Sequence, residues 1–192
     1  MSHWRRLVVA ALAALCLFSE PAFALKEGFL LFTDPGRRFS IEFPKDWRWT
    51  IVAGSGEALV TFVHPKSEAA IVVERFRMKQ ALAQNEVTDL FGQIESDVLK
   101  ENQPKASDVA AKVLTQAGKR LALIDYTRPG LGERERVRQY SFPVRQDLYR
   151  VTCMALASQF TKHEATFQSA AESLKSAGEL DKAPAPAPAP SR

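Results

Sequence analysis

The sequence has little of what most chemistry needs. Its 192 residues include 2 cysteines and 3 histidines. No C-x-x-C, H-E-x-x-H or EF-hand pattern appears, and no G-x-x-x-x-G-K-[ST] or G-x-G-x-x-G phosphate loop. Ala53-Gly54-Ser55-Gly56-Glu57 lacks the form of a G-x-S-x-G nucleophile elbow, so Ser55 reads as loop. These gaps exclude the common metal, nucleotide and acyl-transfer classes that announce themselves locally. A strong charge of one sign is missing too. The formal net charge is +4, well short of the basic footprint a dedicated nucleic-acid binder carries.

Long apolar runs are absent with one exception, Leu7–Phe18. Arg5 and Arg6 precede it, Pro21 breaks it, and Ala22-Phe23-Ala24 has the small-x-small form of a signal-peptidase site. Residues 1–24 read as a signal peptide. The run is too short to cross a bilayer comfortably. Cys16 follows Leu15, where a lipid-attachment signal needs a small residue. Cleavage after Ala24 removes Arg5, Arg6 and Glu20, which takes the formal charge from +4 to +3. It also leaves Cys153 as the lone cysteine. The domain therefore stands on its apolar core, without an internal disulfide. Cys153 sits in the apolar run LYRVTCMALA and reads as a buried small hydrophobe.

What is present is a series of strand signals. GFLLFT (28–33) precedes Asp34-Pro35-Gly36, a turn in which Pro fixes one φ and Gly tolerates a positive one. Phe39, Ile41 and Phe43 alternate with polar residues, and after Pro44-Lys45-Asp46 so do Trp47, Trp49 and Ile51. The expectation is two strands around a turn, their aromatics forming a core seam. Further strands are expected at 58–64, 69–78, 109–116, 119–127, 133–142 and 147–157.

Two segments change period. Val87, Leu90, Phe91, Ile94 and Val98 mark an amphipathic helix, with Asn85 as N-cap and Pro104 as the stop. A second helix opens at Thr161-Lys162-His163-Glu164, which fits a capping box, and places Phe167, Ala171 and Leu174 on one face. From Ala183 the chain reads APAPAPAPSR, a solvated extended tail. The domain plan is a signal peptide over 1–24, one domain over 25–178 and an Ala-Pro-rich tail over 179–192. Runs of strands with few helices favour α+β. The fold expected is an antiparallel sheet of about seven to eight strands flanked by helices, an α/β/α sandwich.

The order of features resembles a known family. An early F-S-I-E-F-P-K-D-W, a hairpin-rich middle, one helix, then L-Y-R-V-T-C-M-A and a final helix with Phe167 and Ser173-Leu174 look like the PsbP-like family. It is named for the extrinsic PsbP protein of photosystem II, and its fold recurs in the Ran-binding Mog proteins and in exported bacterial proteins. The resemblance spans roughly residues 28 to 176. It implies docking on a larger assembly without catalysis. Photosynthetic members work at a membrane complex that holds manganese, calcium and chloride. None of the matching residues carries a family role, so no site is transferred.

For chemistry the residues themselves leave three points. His64 and His163 lie far apart in sequence, and His163, one turn before Phe167, reads as a partly buried structural histidine. Asp125 lies inside the apolar strand RLALIDYT, where burial without a partner is costly, so an Arg partner is expected. Arg134, Arg136 and Arg138 share one strand face at intervals of about 7 Å. Glu133 and Glu135 flank them on the other face. Three guanidiniums in a row need water or anions, and each can grip a carboxylate or phosphate as a fork. The alternatives are a docking stripe for an acidic surface or anionic headgroups, and a solvated face that blocks edge aggregation.

These readings converge on a non-catalytic binding protein with no cofactor, no metal site and no nucleic-acid partner. Export to the periplasm is expected, or to a thylakoid lumen in a phototroph. The protein is expected to be monomeric, without a transmembrane helix after cleavage, and to dock on an envelope or extrinsic membrane assembly. A photosystem II subunit or assembly factor and a periplasmic small-ligand or lipid carrier are the alternatives; a hydrolase ranks last.

Overall fold

The computed structural model describes residues 25–52, 59–79, 92–93, 96, 106–116 and 119–181. Residues 1–24, expected to be a signal peptide, and the Ala-Pro run lie outside them. So does most of the expected helix over 85–98, of which Gly92, Gln93 and Ser96 are described and helical.

Two antiparallel sheets form the frame. The smaller has the order β1-β2-β10, with β1 at Phe29–Thr33, β2 at Phe39–Pro44 and β10 at Lys175–Ser176. The larger has seven strands: β3 (Arg48–Val52), β4 (Leu59–Val63), β5 (Ala70–Arg77), β6 (Ser107–Gln116), β7 (Lys119–Pro129), β8 (Arg134–Val144) and β9 (Asp147–Leu156). Their spatial order is β3-β4-β5-β9-β8-β7-β6. Two runs of hairpins, β3-β4-β5 and β6-β7-β8-β9, are stitched together by the pairing of β5 with β9, in register from Ala70↔Met154 to Arg77↔Asp147. Helix α1 (Phe160–Ser173) follows β9, and the one-turn α2 (Ala177–Leu180) follows β10.

The α+β expectation holds, with the strands divided between a seven-stranded sheet and a three-stranded one. The small sheet and α1 cover one face of the large sheet. Phe39, Ile41 and Phe43 from β2 pack with Phe62, Ile71 and Val73, and with Phe160, Phe167, Ala170 and Ala171 from α1. Phe43 stacks on Phe62 at 4.5 Å. Ala122, Ile124, Tyr126 and Val137 form a second cluster, residues of opposite parity on the same strands. Cys153 is fully buried in the main core, as its sequence context implies, and burial drives its thiol pKa upward.

Three local expectations need correction. The first concerns β2 and β3, which are not paired; they lie in different sheets. Trp47 sits in the turn between them, its N–H donating to the Pro44 carbonyl at 3.0 Å, so it escapes the parity of β3. It is buried, whereas Trp49 and Ile51 are 51% and 39% exposed. Here β3 is an edge strand, and Phe32 and Phe62 already fill the core behind Trp49. The aromatic stretch is therefore core up to Trp47 and surface beyond it.

The second concerns the β1–β2 turn. Its left-handed residue is Arg37 (φ 52°), not Gly36. Gly36 serves another purpose. A Cβ there would lie 3.1 Å from both Arg38 Nε and Asp34 Oδ2, the atoms of a 2.7 Å ion pair.

The third concerns the start of α1. Gln159, not Thr161, occupies the N-cap, without a side-chain cap bond. The helix begins two residues earlier than the capping-box reading requires, because Phe160 is already buried in the core. Glu164 turns instead to Arg138. The reciprocal motif appears at α2, where the Ser176 N–H donates to Glu179 Oε2 at 2.8 Å.

Candidate functional site

The β7–β8 hairpin fixes the arginines. Its turn is held by the Gly130 N–H donating to the Glu133 carbonyl at 3.0 Å. A Cβ at Gly130 would lie 2.5 Å from that oxygen, so only glycine fits. The resulting register sets Pro129, Thr127 and Asp125 opposite Arg134, Arg136 and Arg138.

Parity then does what the sequence implied. All three arginines lie on one face, and Asp125 joins them as the expected carboxylate partner. Arg136 grips it as a fork, Nε to Oδ1 at 3.1 Å and Nη2 to Oδ2 at 2.9 Å. Arg138 donates to Oδ2 from Nε at 3.0 Å and Nη2 at 2.6 Å, and reaches Glu164 Oε1 on α1 with Nη1 at 2.7 Å. Both guanidinium carbons lie over the buried Phe160 ring, at 4.9 and 5.3 Å. Such stacking is favourable for a cation over an aromatic face.

Electrostatics follow the geometry. Burial pushes the Asp125 carboxyl upward, but hydrogen bonds from Arg136 and Arg138 and their charge outweigh it and hold it below the usual carboxylate range. Burial likewise opposes the charge on Arg138, and its carboxylate partners outweigh that and raise it. Burial holds Tyr140 up, to about 12. Two of the three arginines thus have anions within the protein itself. The Arg138 side chain is 13% exposed and that of Arg136 is 38% exposed. Arg134 is the outermost, bonded to Ser107 Oγ and to the Thr127 carbonyl. On the other face Glu135 pairs with Arg128 at 3.0 Å, and Glu133 accepts the Ser158 N–H.

Two features were not legible beforehand. One is an apolar strip at the open rim between the sheets. Trp49 on β3 meets Phe32 on β1 at a ring separation of 5.3 Å. Ile51 lies two residues along β3, and Leu30, 48% exposed, two residues along β1, each on the same face as its aromatic neighbour. Both strands are edges of their sheets. The other feature joins the two histidines. His64 closes β4 at the hairpin turn, His163 lies on α1, and their rings are 5.1 Å apart. The Ser67 hydroxyl stands between them, 2.9 Å from His64 Nδ1 and 3.3 Å from His163 Nε2. Trp47 lies edge-on to both rings. Burial, then the neighbouring His64 and Lys162, hold His163 below its ordinary pKa. His163 is half-buried as expected; its partner comes from a distant turn that no spacing rule connects to it. Among the described residues no group of three or more His, Cys, Asp or Glu is placed to hold a metal ion, and no helix is long and apolar enough to cross a membrane.

The pattern of the PsbP family matches residues 27–176. The chain belongs to the PsbP family. Among solved structures, this PsbP-family chain is similar to cyanobacterial PsbP (CyanoP) from Synechocystis sp. PCC 6803, with TM-score 0.58 and 14% identity over 84% of this chain and 99% of that one. It is similar to a Bacteroides thetaiotaomicron VPI-5482 protein, with TM-score 0.55 and 16% identity over 79% of this chain and 49% of the other. A third likeness is LpqN of Mycobacterium tuberculosis, a protein involved in cell envelope biogenesis, with TM-score 0.50 and 12% identity over 77% and 89% of the chains. At these identities the likeness is one of fold. No curated protein matches the sequence.

Proposed function

We propose that this PsbP-family protein is a non-catalytic docking subunit, exported by its N-terminal leader, that binds a larger envelope or membrane-associated assembly. The observation that carries this reading is the strip of exposed Leu30, Trp49 and Ile51 around the buried Phe32. A half-exposed tryptophan backed by a second aromatic, with aliphatic side chains on either side, is the composition of a binding hot spot. A contiguous apolar patch is costly to leave in water unless something covers it. The strip runs along β3, which has no strand partner on its outer edge among the described residues. The partner is therefore an extended apolar segment of another protein, adding to that edge while its side chains rest on Trp49. Arg37 and Arg48, both exposed, favour acidic flanks on that segment. Arg134, Arg136 and Arg138 make a secondary contact with acidic groups, through Arg134 and the outer part of Arg136. The family fold supports a docking role, and so does the likeness to CyanoP and to LpqN, which is involved in cell envelope biogenesis.

The test is chemical cross-linking of the full chain in its native envelope, with Trp49→Ser and Arg134→Ser forms run in parallel. Docking predicts one defined assembly that Trp49→Ser loses while its melting temperature stays unchanged, and a lesser loss for Arg134→Ser. Equal capture by the wild type and the folded Trp49→Ser form would overturn the reading.

A further inference from the structure

The histidine pair has no part in the docking strip, and its geometry exceeds what packing requires. His64 belongs to the turn His64-Pro65-Lys66-Ser67, closed by the His64 N–H donating to the Ala69 carbonyl at 2.9 Å. Within this turn the Lys66 backbone N–H donates to His64 Nδ1 at 3.2 Å. A nitrogen that accepts a backbone N–H turns its lone pair toward that donor, which places the ring proton on Nε2. The Ser67 hydroxyl then donates to that same Nδ1, and its own oxygen faces His163 Nε2. The two imidazoles, from two elements packed against each other, thus both face the Ser67 hydroxyl.

The spacing suits a particular occupant. Imidazole nitrogens bind borderline divalent cations such as zinc at about 2.1 Å, and two imidazoles on one tetrahedral ion place their ring centroids about 5.2 Å apart. Here they are 5.1 Å apart. Trp47, edge-on to His64 at 5.7 Å and to His163 at 6.0 Å, walls one side. His64, Ser67 and His163 are all partly solvent-exposed, which leaves an entry path.

We infer that His64 and His163, with Ser67 between them, form a two-histidine site for a borderline divalent transition-metal cation of the zinc type. His64 supplies Nδ1 once the Lys66 N–H and the Ser67 hydroxyl release their hydrogen bonds to it. His163 supplies Nε2 after its proton moves to Nδ1, a tautomer change that needs no net charge. Ser67 Oγ either completes the coordination or yields to water. No third His, Cys or carboxylate joins them among the described residues. The ion therefore keeps open positions, so binding is exchangeable and on the order of micromolar rather than structural. Because the site bridges the β4–β5 turn and α1, the ion would clamp these elements together.

The experiment titrates Zn2+ into the untagged full chain by calorimetry. All forms carry His3→Ala, because an N-terminal Met-Ser-His can bind metals by itself. The expected result is one saturable site, a higher melting temperature with Zn2+, and affinity lowered more than about tenfold by His64→Gln or by His163→Gln. Ser67→Ala is expected to retain binding. His64 lies in an exposed turn, so its variant is expected to fold. Histidine-ring NMR of the chain retaining both residues serves as a second readout, in which both rings shift together with Zn2+. Absence of saturable binding, binding indifferent to both substitutions, or ring signals that do not move as a pair would overturn the site. None of these outcomes bears on the docking strip, which lies on other residues.

Discussion

The hydroxyl of Tyr149 donates to the backbone carbonyl of Arg38 at 2.9 Å. It carries a bond from the middle of the large sheet to the start of β2 in the small one. Elsewhere Phe32 and Phe43 of the small sheet meet Phe62 of the large one. Tyr149→Phe leaves that carbonyl without its partner beneath a buried ring. The expected cost is about 1–2 kcal/mol in urea unfolding, with little change in the slope. A cost below a few tenths would mean that water replaces the bond freely.

Asp125 is the anion on which Arg136 and Arg138 both rest. Asp125→Asn keeps the shape and removes the charge, leaving two guanidiniums facing each other over Phe160. Breaking a fully buried pair costs about 3–5 kcal/mol, and the partial exposure of Arg136 reduces this to about 2–3 kcal/mol. Equilibrium unfolding at neutral pH measures it.

The same carboxylate, together with that of Asp34, makes stability depend on acidity. Both are held below the ordinary carboxylate range in the folded protein. Their contribution is present above that range and is lost as pH falls through the lower folded values. Stability measured by denaturant is expected to fall as pH drops below about 4. Asp125→Asn should give a shallower fall below that pH, with the part owed to Asp34 remaining. An identical slope in both proteins would show that Asp125 titrates alike folded and unfolded.

The two tryptophans of β2–β3 separate core from surface. Trp47→Ala opens a cavity beneath His64, His163 and Phe167, at a cost of about 3–5 kcal/mol. Trp49→Ser removes a side chain that is half in water, and is expected to change stability by less than about 1 kcal/mol. Thermal melts of the two variants decide it. Comparable losses would place Trp49 in the core.

Arg37 holds a left-handed backbone at φ 52°. A side chain there costs about 1 kcal/mol relative to glycine. Arg37→Gly is therefore expected to raise stability by several tenths to about 1 kcal/mol, because glycine's greater freedom in the unfolded chain offsets part of the relief.

Hydrophobic period located most of the frame. The strands of the β6–β9 meander, the alternation of β2 and the buried face of α1 could all be read from spacing, since each rests on local parity. Asp125 was legible for a similar reason: one charge in an apolar strand needs a partner, and the neighbouring strand offered arginines. What spacing could not give was the sheet change between Pro44 and Arg48. There a turn residue, Trp47, mimics the alternation of the next strand. Nor could it place Phe160 early enough to displace the cap from Thr161, or bring His64 to His163. Those outcomes depend on packing between elements distant in sequence, which a one-dimensional pattern does not encode.

The pairing of β10 with β2 carries a kinetic consequence. Ser176 lies opposite Phe39, and Ala70 opposite Met154. Neither sheet can be completed until nearly the whole domain has left the ribosome. Closing such long loops is slow compared with forming local hairpins. A nascent chain of this topology therefore stays open for the length of its own synthesis, the condition in which a polypeptide led by residues 1–24 could still be threaded through a narrow channel.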